Sequence, residues 1–181
     1  VVSKDEEPGR VKFDKIPKLS PAFNKDGVIT AANASSINDG AGAVVLVSAD
    51  KGKELGLKPL ARYVAQATAS LEPHQFPLAP IDSIKNVFAK SGLTDADIDV
   101  YEINEAFSVV SLVTMDTLKI DPAKVDLYGG AVAIGHPIGA SGARVFITLL
   151  NVMRRKGAKR GLASLCIGGG EAIAMIIESV E

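Results

Sequence analysis

Cysteine is almost absent: Cys166 is the only one in 181 residues. A lone cysteine excludes an internal disulfide framework and any structural zinc site built from two or more cysteines. It fits a reducing compartment such as the cytoplasm or the mitochondrial matrix. Histidine is scarce too, with only two, His74 and His136. Neither sign of charge is in excess, the net being −1. Nothing therefore points to a nucleic-acid or membrane-surface partner. No apolar run reaches roughly 18 residues, so a membrane span is not expected. The chain opens Val1-Val2-Ser3-Lys4-Asp5-Glu6-Glu7, with neither Met nor a secretory pattern, as a segment from inside a longer protein would.

What is present suits a well-buried α/β domain: 47% of the residues are hydrophobic, in a chain long enough for one sizeable core. Residues 1–27 are polar and broken by Pro8, Pro17 and Pro21, and read as an extended lead-in or linker ahead of a domain over 28–181. Val28–Ala32 reads as a short strand, 33–42 as a loop, and Ala43–Val47 as a buried strand. A short helix follows over Asp50–Leu55, with Gly56 at its C′ position. Leu60–Thr68 is the next strand, and Glu72–Pro80 an exposed loop. Ile81, Ile84, Val87 and Phe88 mark one face of a helix that Gly92 ends.

Ile98–Ile103 is again a strand. Glu105–Leu118 is apolar on nearly every face, as a central buried helix would be, with Asn104 where an N-cap would sit. Val125–Tyr128 reads as a strand feeding a Gly-rich run, and Ala143–Lys156 as a helix closed by Gly157. Arg160–Ile167 and Ala172–Glu178 are strands whose link is too short for a crossover, so they should pair antiparallel. The alternation gives a layered α/β domain with a mixed sheet.

Three groups stand out as chemistry. His136 lies between Gly135 and Pro137 in a loop of five glycines. An imidazole held there can act as base, donor or both; a capping or core histidine is the alternative. The run lacks the Lys-Ser/Thr ending and the G-x-G-x-x-G spacing, so it supports close backbone approach rather than a phosphate loop. Cys166 ends an apolar strand just before Gly168-Gly169-Gly170. It is either a small buried hydrophobe or a functional thiol at a strand end, whose pKa a nearby imidazolium would lower. Asn104 is either a helix cap or a polar site residue. His74, in a Pro-rich loop, reads as exposed and inert.

The order and spacing of Asn104-Glu105-Ala106-Phe107, Gly135-His136-Pro137 and Cys166-Ile167-Gly168-Gly169-Gly170 resemble the C-terminal half of a thiolase, close to acetyl-CoA acetyltransferases. The resemblance runs from about Pro8 to the last residue and includes Thr30-Ala31-Ala32-Asn33-Ala34-Ser35 and the run from Gly129 to Arg144. Ala172 departs from a family motif that often ends in glycine. The resemblance implies a βαβαβαββ half with a mixed five-stranded sheet covered by helices. It implies an enzyme that condenses two acetyl-CoA to acetoacetyl-CoA and CoA, or runs the reverse thiolysis. The nucleophilic cysteine would come from an N-terminal half, because this chain has none to spare.

By the same resemblance, His136 would be a base and Cys166 a second acid/base. Asn104 would hold a water that, with His136, binds the enolate oxygen, and the Gly168 N–H would join the oxyanion hole. Ser35 would contact the pantetheine arm of CoA and Phe107 would line its channel. No cofactor is required, but backbone oxygens at Ala31, Ala32, Ala34 and Val132 match a pattern that holds potassium in some relatives. The complete enzyme would be a homodimer or homotetramer. Two other readings remain: a non-catalytic CoA- or lipid-binding relative, and a structural α/β module.

Overall fold

The computed structural model describes Val1 and residues 3–180. In chain order the helices are α1 (Glu7–Arg10), α2 (Ala49–Glu54), α3 (Ala79–Ser91), α4 (Ser108–Leu118), α5 (Ala131–Ile134) and α6 (Ser141–Lys156). The strands are β1 (Ala61–Ser70), β2 (Val100–Ile103), β3 (Arg160–Cys166) and β4 (Glu171–Ser179), in spatial order β1-β4-β3-β2. β2 and β3 are parallel, and β4 is antiparallel to both β3 and β1. The expected β3–β4 hairpin and mixed sheet are therefore present.

Alternation along the strands divides the core in two. Ile103, Leu162, Cys166, Ala174 and Ile176 meet Ile84 and Val87 of α3 and Val110 of α4 on one face. Val100 and Ile177 meet Leu149, Val152 and Met153 of α6 on the other. Both faces are covered, so β2 is buried along its whole length, as a strand beside a parallel neighbour usually is. Gly161 on β3 lets α6 come this close: a Cβ there would stand 2.7 Å from Leu149 Cδ1 and Met153 Sδ. The face predicted for α3 is the one observed, and Gly92 at φ 72° stops the helix.

The sheet has four strands among the described residues, not five. At Val125–Tyr128 a single parallel bridge, Val125 to Tyr101, stands in place of a strand beside β2. Asp126 turns left-handed at φ 47°, which breaks the ladder after one pairing.

Val28–Ala32 is not a strand either. The Asn33 amide accepts from the Thr30 N–H (2.7 Å) and donates to the Val28 carbonyl (3.0 Å), while the Thr30 hydroxyl accepts from the Ala32 N–H (3.2 Å). Local side chains have taken the backbone partners that a sheet would need.

Ala43–Val47 has no strand pairing and is not buried, with Val45 88% and Leu46 81% exposed. The helix expected from Glu105 begins at Ser108, and its Leu112 is 59% exposed, so part of its apolar surface is uncovered. Asn104 is not its cap; Phe107 holds that position. Ser48 caps α2, accepting from the Lys51 N–H. No helix of the described residues is long and apolar enough to cross a membrane.

Candidate active site

Parallel pairing sets the C-terminal ends of β2 and β3 side by side, Ile103 against Ser164. Asn104 follows directly, its N–H donating to the Ser164 carbonyl at 2.9 Å. Its side chain is buried but not orphaned. The Arg144 guanidinium, from the first turns of α6, donates to Asn104 Oδ1 at 2.6 Å, and Asn104 Nδ2 lies 3.4 Å from His136 Nε2. Strand end, glycine loop and helix start thus meet at one amide.

His136 is fixed on its other sides as well. Its N–H donates to the Ser36 carbonyl at 2.8 Å, and Ile37 bridges to it in parallel. Gly135 before it sits at φ 92°, and a side chain there would collide with Asn38. The ring Nδ1 lies 2.6 Å from Ser141 Oγ, whose hydroxyl donates to the Pro137 carbonyl at 3.0 Å. Burial, and then the charge of Arg144, lower the imidazole pKa below its ordinary value. The ring is therefore neutral at physiological pH and available as a base.

Cys166 ends β3 two residues beyond Ser164, at the same end of the sheet as Asn104. No hydrogen bond joins it to His136 or Asn104 among the described residues. Its thiol belongs to the apolar cluster on the α3 face, and burial pushes its pKa up to about 11. The expected lowering by an imidazolium is not found. Burial dominates, and a neutral His136 supplies no charge to oppose it. A thiol held protonated at neutral pH is equipped to give a proton. Gly168 follows in the exposed β3–β4 turn, where Gly170 closes a hydrogen bond to the Ile167 carbonyl at 3.2 Å.

Beneath the amide lies a set of carboxyl groups. Burial, then the neighbouring Asp126, raises Glu102 on β2 to about 8, although Arg144 opposes the rise. Burial raises Asp126 to about 7 even though the Ile103 N–H donates to it at 2.9 Å. Glu105 accepts from the Val132 N–H at 3.2 Å. Arg144 is thus a half-buried cation facing several acids, and the atoms Glu102 Oε1 and Arg144 Nε are both buried without a hydrogen-bond partner.

The remaining predicted residues fall nearby. Ser35 donates through both its N–H (3.2 Å) and its hydroxyl (2.8 Å) to the Ala106 carbonyl. Phe107 is half-buried, edge-on to Phe23 with centroids 5.9 Å apart and tilted to Phe76 at 6.0 Å. Ala31 and Ala32 occupy the turn shaped by Asn33, Ala34 bridges to Phe107, and Val132 lies in α5 beside Glu105. His74 is exposed. A cleft of about 460 Å³ opens beside the histidine loop, lined by 38–42 and by Pro137–Ala140 and Ala143, but not by Asn104, His136 or Cys166.

Arg144, Ser141, Glu102 and Asp126 were missed as site residues. Two of them carried a signal. Arg144 is a cation near a helix N-terminus, where the dipole disfavours it, and Glu102 is a charge inside an apolar strand. Local rules broken without visible gain often mark functional places.

A mixed sheet covered on both faces, with a polar constellation at the carboxyl ends of its parallel strands, defines a layered α/β domain with its site in the usual place. Comparison with known proteins makes this specific. Residues 57–179 match the thiolase C-terminal domain and residues 1–50 the thiolase N-terminal domain. Mitochondrial acetyl-CoA acetyltransferase of Bos taurus is 51% identical over 99% of this chain and 42% of its own length. A probable acetyl-CoA acetyltransferase of Dictyostelium discoideum is 48% identical over 99% of the chain and 43% of its own length. Among solved structures, acetyl-CoA acetyltransferase of Bacillus anthracis superposes with a TM-score of 0.94 at 42% identity, over 99% of this chain and 46% of that one. Human mitochondrial 3-ketoacyl-CoA thiolase in complex with CoA gives 0.93 at 40% identity, over 99% and 46%. The chain belongs to the thiolase family. It spans less than half the length of these relatives.

Proposed function

We propose that this chain supplies the C-terminal half of the active site of an acetyl-CoA acetyltransferase. The observation that carries the proposal is the Asn104–His136 pair, 3.4 Å apart over the end of β2, in a chain of the thiolase family. The nucleophilic cysteine belongs to an N-terminal half. His136 Nε2 takes its proton, the thiolate attacks the acetyl-CoA carbonyl, the Cys166 thiol gives its proton to the departing sulfur, and CoA leaves as thiol. Cys166, as thiolate, then accepts an α-proton from a second acetyl-CoA. The enolate oxygen is met by protonated His136 and by a water on Asn104. The enolate carbon bonds to the acetyl carbonyl carbon, the acyl C–S bond breaks, His136 returns its proton to the released nucleophile, and acetoacetyl-CoA forms. In thiolysis Cys166 returns the proton to carbon, for which a high-pKa thiol is suited.

Gly168 would present its N–H to the acyl-enzyme oxyanion. Ser35 and Phe107 would line the path of the pantetheine arm. Potassium, if used, would meet neutral backbone oxygens at Ala31, Ala32, Ala34 and Val132, a donor type suited to an alkali cation rather than a transition metal. It would supply a fixed positive charge tying the 30–34 and 130–134 segments together. Residues 28–181 would form the C-terminal unit behind a lead-in over 1–27. The exposed Ala43–Val47 segment would complete its pairing against the N-terminal half, and the assembled enzyme would be a homodimer or homotetramer.

The test is complementation. The chain is combined with a thiolase N-terminal half bearing the nucleophile, and acetoacetyl-CoA loss is followed through its enolate absorbance. Turnover with both halves and none with either alone is expected. Turnover by the pure 181-residue chain would overturn the role of Cys166. Inactivity of a folded, assembled pair would overturn the proposed reaction.

A further inference from the structure

The hydrogen bonds around His136 have a direction, and Arg144 sets it. A guanidinium only donates, so the atom 2.6 Å from Arg144 Nη2 must be the amide oxygen of Asn104. The amide nitrogen is then turned toward His136 Nε2 at 3.4 Å. An amide nitrogen only donates, so Nε2 must accept and carries no proton. The ring proton is left to Nδ1, which donates to Ser141 Oγ at 2.6 Å. The Ser141 hydroxyl proton is committed in turn to the Pro137 carbonyl at 3.0 Å, so Ser141 Oγ has an oxygen lone pair turned to the ring. Every link agrees; the guanidinium end cannot be reversed, whereas the Ser141 hydroxyl can leave the Pro137 carbonyl and turn its proton toward Nδ1.

Arg144 also occupies a costly place. It is a cation in the first turns of α6, opposed by the helix dipole, and its Nε has no partner. The facing carboxyl groups of Glu102, Asp126 and Glu105 offset this by attraction. Among the described residues its guanidinium makes one hydrogen bond, to Asn104, so the amide is what this half-buried charge is placed to hold.

We infer that Arg144 is a positioning residue: it orients the Asn104 amide, and through that amide locks His136 as the Nδ1–H tautomer with Nε2 unprotonated. The lock serves the site of the proposed function, because Nε2 must begin as base and become donor only after taking a proton. The tautomer itself does not depend on that function.

Imidazole 15N shifts report which ring nitrogen is protonated, and with only two histidines the chain gives an easily assigned spectrum. His136 should show a protonated Nδ1 and an unprotonated Nε2. In Arg144→Met the two tautomers should mix, with Nε2–H rising to a readily detected fraction, and Arg144→Lys should restore the Nδ1–H form in part. Asn104→Asp keeps an oxygen for Arg144 but presents an acceptor to the ring, so His136 should invert to Nε2–H or become charged. An Nε2–H ring in the parent chain overturns the inference, as does an unchanged Nδ1–H ring in folded Arg144→Met or in Asn104→Asp.

With a nucleophile-bearing half added, Arg144→Met should lower kcat about 10- to 100-fold with little change in KM, and Arg144→Lys should recover part of it. A chain that shows the predicted tautomers but never supports turnover keeps this inference and loses the proposed reaction.

Discussion

Ser35 and Ala106 are joined twice, since the N–H and the hydroxyl of the serine both donate to one carbonyl, at 3.2 and 2.8 Å. The contact spans 71 residues of sequence. It ties the turn after Asn33 to the segment that carries Asn104 and Phe107. Ser35→Ala removes the hydroxyl bond and keeps the N–H bond, so it should cost about 1 kcal/mol in urea unfolding. If the hydroxyl also borders the CoA path, KM for acetyl-CoA should rise severalfold in the complemented enzyme. An unchanged KM would confine Ser35 to holding the loop.

Cys166 can be tested without any partner, because it is the only thiol. Its burial and a pKa near 11 predict reaction with a disulfide reagent about 100-fold slower at pH 8 than for an unhindered cysteine. The rate should climb steadily through pH 10 rather than level off. A plateau below pH 9 would show that the thiol is not shielded.

Glu102 and Asp126 have folded-state values near 8 and 7, above their ordinary 4.5 and 3.8. Each binds more proton when folded than unfolded across that interval. Stability should therefore fall as pH rises from about 5 to 8, by about 1.4 kcal/mol per pH unit for each full proton of difference. His136, lowered from 6.5, acts in the opposite sense at the acid end. Glu102→Gln removes one titrating group and should flatten the decline measured by urea unfolding at several pH values. An equally steep decline in the variant would place its source elsewhere.

Gly161 separates β3 from α6, and Gly161→Ala would push a methyl against Leu149 and Met153, both buried. The expected cost is about 1–3 kcal/mol from overpacking, read as a lower urea midpoint with an unchanged slope. No loss of stability would mean that the helix can move away freely.

How legible this was differs by element. α3, β3, β4 and their hairpin follow from apolar period and link length, which act locally. Val28–Ala32 reads as a short strand in the sequence, but the Thr30 and Asn33 side chains outcompete a sheet for its backbone. The ends of Val125–Tyr128 failed for a similar reason, a left-handed Asp126 that composition does not advertise. His136, Asn104 and Cys166 were findable because each sits beside permissive glycines or at an element end. Arg144 was not, since its partner lies 40 residues away and only folding brings the two together. The high thiol pKa was missed likewise, because burial is a property of the packed core rather than of the motif.

Ala43–Val47 remains the least satisfied stretch of the described chain. It has no strand pairing and carries Val45 and Leu46 at 88% and 81% exposure. An unpaired apolar segment attracts another edge. Leu112 on α4, 59% exposed, adds to the uncovered apolar surface. The isolated chain should therefore self-associate and bind a hydrophobic dye, and light scattering should show masses above one chain. Val45→Lys should reduce both effects by putting a charge on the exposed edge, without altering the core around β2 and β3. Adding an N-terminal thiolase half should suppress dye binding in the parent chain but much less in Val45→Lys. A monomeric parent chain that ignores the dye would show that this surface needs no cover, and would remove the main support for a missing half seated on it.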